Sequence, residues 1–209
     1  RDDVIFLKQD VIYNYVLVGS SLTHGGLSTK PPHRFTFDII NRLTGDYKGP
    51  ERVYISRRTW THNKLDNIGT NYTERRRCMN EDQVAQIFSL YGFEEVFCEN
   101  LTMKEKIGIF SSAKYVAGPI GGGMANVLFC PPETKVLSIN SPLFFYVNDR
   151  LRHAMEHTQL THFDHTSFTD EKEETVDDLG SLSISGGMNS PWEVDLNKLS
   201  KILDEWLTS

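Results

Sequence analysis

Residues 114–139 read KYVAGPIGGGMANVLFCPPETKVLSI, and the order of residue types in this stretch decides the fold. An apolar run, Tyr115-Val116-Ala117, leads into Gly118, Gly121, Gly122 and Gly123. A helical patch over Met124–Phe129 follows, Pro131-Pro132 stops it, and a second apolar run occupies Val136–Ile139. Strand, glycine turn, helix start and strand, in that order, make a βα junction of an α/β protein. Backbone N–H groups at a helix N-terminus have no intrahelical partner, and glycine lets an anion approach them closely. The stretch predicts a turn that holds phosphate or a nucleotide.

Outward from it the same alternation continues. Upstream, RVYISRR (Arg52–Arg58) predicts a strand with Val53 and Ile55 inside, ending in Ser56, Arg57 and Arg58. Asn80 stands as N-cap of a helix that carries Val84, Ile87, Phe88 and Tyr91 on its inner face and stops at Gly92. FEEVFC (Phe93–Cys98) is the next strand, and Thr102 with Glu105 three residues on forms a capping box for a helix through Ile107 and Phe110. Downstream, a helix-like segment carries Phe144, Leu151 and Met155, and Gln159–Phe163 reads as a last strand. Val194–Leu207 closes the chain as an amphipathic helix with Leu196, Leu199, Ile202, Leu203 and Trp206 on one face. Strands alternating with short helices predict a parallel sheet with helices on both faces.

Composition divides the chain. Residues 1–49 hold two β-rich runs (Val4–Leu7 and Val11–Val18), a Gly/Ser/Pro loop around His24, and a linking helix behind Pro31-Pro32; they read as the connection from an upstream domain. Residues 50–168 form the sheet domain, 169–193 an acidic and then Ser/Gly-rich loop, and 194–209 the closing helix. The net charge of −6 argues against nucleic acid as a partner. No run approaches the ~18 apolar residues of a membrane span. The chain begins at Arg1 in mid-pattern without a Met, which reads as a piece of a longer protein. A cytoplasmic location is the first expectation, with the ER or Golgi lumen as the alternative if a signal anchor precedes Arg1. Cys78, Cys98 and Cys130 lack metal-type spacing and read as buried free thiols. Asn71-Tyr72-Thr73 and Asn100-Leu101-Thr102 fit the N-glycosylation pattern, which matters only in a secreted protein.

In an open parallel sheet, ligands bind beyond the carboxyl ends of the strands. That rim carries Arg57, Arg58, Glu99, Asn100, the glycine turn and Asn140. Arg75, Arg76 and Arg77 end a polar loop just before Cys78 and Asn80. A guanidinium fork suits a diphosphate, with Arg57 and Arg77 the first choices, and a solvated basic loop is the competing reading. Asn126 serves equally as a local cap or a ligand contact. His24 is either an exposed loop histidine or a base tuned to neutral pH. Gly121-x-Gly123-x-x-Asn126 departs from the dinucleotide fingerprint, and no acidic residue ends the following strand. No metal-ligand cluster is expected: on a strand, His162 and Asp164 face one side and His165 the other. No hydrolase triad stands out.

Ile55-Ser56-Arg57-Arg58, Arg76-Arg77, Asn80-Glu81, Tyr91-Gly92-Phe93-Glu94, Gly118-Pro119-x-Gly121-x-Gly123 and Leu128-Phe129-Cys130-Pro131-Pro132-x-Thr134-Lys135-Val136-Leu137 occur in an order that resembles glycosyltransferase family 61. The resemblance covers about Arg52–Ile139. It implies a GT-B architecture of two Rossmann-like domains, of which this chain is mainly the nucleotide-sugar-binding one. It also implies inverting transfer from a nucleotide-sugar donor, UDP-sugar favoured, to a glycan or other hydroxyl acceptor, with no required metal and no cofactor beyond that co-substrate. Arg57, Arg58, Arg76, Arg77, Asn80, Glu99, Gly118, Gly121, Gly122, Gly123 and Asn126 would then hold the donor, with His24 the candidate base. The family often has His where this chain has Ile120, and often Glu where it has Ser138. A catalytically inactive nucleotide- or glycan-binding module is the alternative those departures raise.

Overall fold

The computed structural model describes residues 38, 42–44, 47–58, 78–119, 121–139, 160–163, 166–167 and 192–208. The predicted elements of the first thirty-odd residues and the segment after Pro142 lie outside them, as do His24, Arg76, Arg77, Ile120 and Asn140.

Strand β1 (Arg52–Ile55) alternates with a period of two, so Val53 and Ile55 enter one core and Tyr54 the other. It lies between β2 (Glu94–Val96) and β3 (Tyr115–Pro119). Beyond β3 come β4 (Lys135–Ile139) and β5 (Leu160–Phe163), giving a five-stranded, all-parallel sheet of order β2-β1-β3-β4-β5. On one face Tyr54, Ala117, Leu137 and Ile139 meet Val84, Ala85 and Phe88 of α1 (Glu81–Leu90). Leu199, Leu203 and Trp206 of α3 (Leu196–Thr208) complete that core. Its centre is aromatic: Phe88 stacks on Tyr54 at 4.4 Å, and Phe93 meets Phe88 edge-on at 5.1 Å. On the other face Val53, Ile55, Val116 and Val136 pack against Phe110 of α2 (Met103–Ser111) and against Met124 and Val127. Helices therefore cover both faces, as the alternation predicts. A short antiparallel pair, β6 (Thr166–Ser167) and β7 (Trp192–Glu193), stands apart from this sheet.

The local signals fix the helix ends. Thr102 Oγ1 accepts the Glu105 N–H at 3.3 Å, and Glu105 Oε2 accepts the Thr102 N–H at 2.7 Å: the predicted capping box. After α1 the chain turns at Gly92 with φ 77°, a left-handed conformation suited to glycine, and the Phe93 N–H reaches back to the Phe88 carbonyl.

Besides β7, which lies in the stretch expected to be a loop, two predicted elements differ from expectation. The predicted strand over Phe93–Cys98 ends at Val96, because Cys98–Asn100 winds into a 3-10 turn. The helical patch is a 3-10 helix that begins earlier, spanning Gly122–Phe129. Within it, Asn126 Nδ2 donates to the Gly123 carbonyl at 2.8 Å and so competes for an oxygen that an α-helix would use.

Candidate functional site

The strand order reverses direction between β1 and β3, and at such a switch point the connections leave on opposite faces and open a crevice. Three chain segments meet at its edge. β1 runs into Ser56-Arg57-Arg58, β2 into Cys98-Glu99-Asn100, and β3 through Gly118-Pro119 into the glycine turn. The register Tyr54↔Ala117 and Ile55↔Val96 sets Arg57 between the last two.

The glycines divide into two kinds. A Cβ on Gly118 would stand 2.7 Å from the Ile55 carbonyl oxygen, and one on Gly123 would stand 2.8 Å from Ile55 Cγ2. Those two positions are packed against β1. Around Gly121 and Gly122 nothing lies within 4 Å of the Cβ position. The backbone is open there, at the start of the 3-10 helix, where N–H groups lack intrahelical partners.

Arg57 is held through its main chain: its N–H donates to Glu81 Oε1 at 2.7 Å. Glu81 is the first residue of α1 and is only 6% exposed. Burial pushes its carboxyl upward, and the Arg57 N–H and the charges of Arg57 and Arg58 oppose that shift. Burial likewise lowers the Arg57 guanidinium, against the raising influence of Glu81 and Glu99. Arg57 is therefore a half-buried cation under the influence of two carboxylates.

Arg58 is held through its side chain. Its fork grips Glu95, with Nε on Oε1 at 2.7 Å and Nη2 on Oε2, while Nη1 donates to Asp82 Oδ1 at 3.0 Å. The hydrogen bond to Glu95 leads the causes that raise its pKa. Arg58 thus ties the end of β1 to β2 and α1, and its planar fork is spent on protein carboxylates.

Asn80 occupies the predicted N-cap position of α1, but its side chain makes no capping bond. Its Nδ2 donates to the Val194 carbonyl at 2.8 Å, and its Oδ1 accepts the Val194 N–H at 3.0 Å. The Met79 N–H adds a bond to the Trp192 carbonyl at 2.8 Å. The amide is a clip that fastens the entry to α3 onto the start of α1. Asn80→Ala should therefore cost about 2 kcal/mol, because both Val194 main-chain groups lose their partner. A urea titration with an unchanged slope and a lower midpoint checks this.

Glu99 sits half-buried on the Cys98–Asn100 turn, near enough for its charge to act on Arg57. Asn126 bonds Gly123 and also reaches the Cys98 thiol. The cysteines are free; burial pushes Cys98 up to about 11 and Cys78 up to about 12, which keeps both as unreactive thiols. Ser138, paired in register with Gly118, is fully buried.

Among the described residues the rim carries two guanidiniums (Arg57, Arg58) and four carboxylates (Glu81, Asp82, Glu95, Glu99). Among the same residues no group of three potential metal ligands occurs, and no helix is long and apolar enough to cross a membrane. Of the residues singled out in the sequence, the structure brings Arg57, Glu99, Gly121 and Gly122 to the crevice. It places Gly118 and Gly123 in packing, and Arg58 and Asn80 in ties between elements. Sequence reasoning missed Glu81 as a site residue. An acid in the first turn of a helix ordinarily reads as a surface partner of the helix dipole. The one available signal was its place in the Asn80-Glu81 pair of the family-like string.

No curated protein matches the chain. The sequence model of glycosyltransferase 61 does match it, over residues 14–137, more than half of its length. The chain belongs to glycosyltransferase family 61, and sugar transfer is the activity that this membership implies.

Proposed function

We propose that the crevice at the β1/β3 switch point holds the diphosphate of a nucleotide-sugar donor, a UDP-sugar by preference. The sugar passes with inversion to a hydroxyl of a glycan or other acceptor, without a required metal. The observation that carries this reading is that β1 and β3 are paired neighbours whose carboxyl ends lead, respectively, into Arg57 and into the open backbone at Gly121 and Gly122.

The chemistry explains why those groups suit the task. The acceptor oxygen attacks the anomeric carbon, the bond from that carbon to the phosphate oxygen breaks, and the acceptor proton goes to a base. Negative charge builds on the departing diphosphate, so groups already aimed at it lower the barrier. Arg57 supplies a half-buried cation, whose attraction to an anion is stronger than it would be in open water. The amides at the start of the 3-10 helix supply donors. Arg76 and Arg77 would add charge to a rim in which Arg57 is already balanced by carboxylates. His24 is the candidate base. We read the domain as one half of a GT-B arrangement with an upstream domain, and a cytoplasmic location is preferred, with the ER or Golgi lumen as the alternative.

The second reading is a binding module without turnover. Ser138 favours it, since a fully buried serine stands where relatives often carry a carboxylate. Calorimetry with UDP-, GDP- and CMP-sugars, followed by transfer assays on hydroxyl acceptors, separates the two. Donor binding with turnover is the expected result. Binding without turnover on any acceptor favours the module, and no binding of any nucleotide overturns both.

A further inference from the structure

We propose that Glu81 is a positioning residue: it orients Arg57 toward the crevice and tempers its attraction for the diphosphate, so that the spent nucleotide can leave. The inference rests on the donor-binding reading above. Glu81 meets both needs from one place. Its Oε1 accepts the Arg57 N–H at 2.7 Å, which fixes the backbone where β1 ends and so sets where the Arg57 side chain departs. At 6% exposure its charge is poorly screened, and its influence on Arg57 is correspondingly strong. Glu99 acts on Arg57 from the turn after β2.

A cation facing a diphosphate without a counterweight would hold the product as firmly as the transition state. Such binding lowers KM without raising kcat. A fixed carboxylate acting on the arginine weakens the hold on the diphosphate product, and product release is the step that limits many enzymes.

The test is a pair of measurements on the whole chain: UDP affinity by calorimetry and steady-state transfer kinetics. Glu81→Gln keeps an oxygen for the Arg57 N–H and removes the charge. It should bind UDP about tenfold more tightly, with KM and kcat falling together. In an Arg57→Ala background the same change should have no effect on UDP affinity, since the influence runs through Arg57. A purely structural glutamate would give the opposite sign, with weaker binding and a lower Tm. Unchanged or weaker UDP binding by a folded Glu81→Gln protein overturns the inference. If that variant does not fold, Glu99→Gln reads the same charge effect from the other flank; tightening supports the inference and its absence overturns it. Failure of the parent protein to bind UDP overturns this inference together with the donor-binding reading. Binding that requires Arg57 yet ignores both glutamates overturns this inference alone.

Discussion

Gly118→Ala should lose about 3 kcal/mol of stability. The added Cβ would stand 2.7 Å from the Ile55 carbonyl oxygen and 2.8 Å from Ile55 Cβ, so the clash is with the backbone of the neighbouring strand. Neither party can yield cheaply. Ile55 is buried and paired with Val96 of β2, and Gly118 is paired with Ser138 of β4. Relief requires β1 and β3 to move apart at the switch point, which disturbs the cores on both faces. Gly122→Ala is the control, since its Cβ enters open space; its stability should stay within about 0.5 kcal/mol of the parent. Denaturant melts of the two variants decide the matter. Equal stability would mean that β3 does not need the close approach.

Arg57→Ala should lower UDP affinity and turnover by about a hundredfold. The hydrogen bond to Glu81 comes from the main chain and survives the substitution. What disappears is the cation, and with it the attraction that draws the diphosphate. Arg57→Lys should recover part of the loss, because it restores the charge but not the two-pronged geometry. Arg58→Ala offers a contrast: it breaks the contacts to Glu95 and Asp82, so stability should fall by more than affinity does. Calorimetric titration with UDP, backed by a thermal melt of each variant, reads both quantities. A folded Arg57→Ala protein that binds UDP as the parent does would remove Arg57 from the site.

Much of this architecture was legible in the sequence because its signals are local. The capping box at Thr102, the stop at Gly92 and the apolar stripe of α3 each involve residues within one or two turns of one another. The alternation of strand and helix fixed the parallel sheet, and the ends of parallel strands fixed the rim. What the sequence hid depends on partners far apart in the chain. Asn80 has the right identity for a helix cap, yet its amide is claimed by Val194, 114 positions away. Arg58 stands beside Arg57 and looks equivalent, but Glu95 and Asp82 take its fork. Glu81 carries no sign of burial in its neighbours Asn80 and Asp82. Four glycines in six residues look like one motif, and only Ile55, through its carbonyl and its side chain, separates them into two pairs.

That separation bears on how working and silent members of the family would diverge. Gly118 and Gly123 answer to the packing of Ile55, a demand that persists as long as the domain folds, whether or not it ever meets a donor. Purifying selection on stability alone would preserve them in a lineage that had abandoned chemistry. Gly121 and Gly122 answer to no such demand from the fold. Substitution at those two, beside an intact Gly118 and Gly123, is the trace that retirement from catalysis would leave in a descendant.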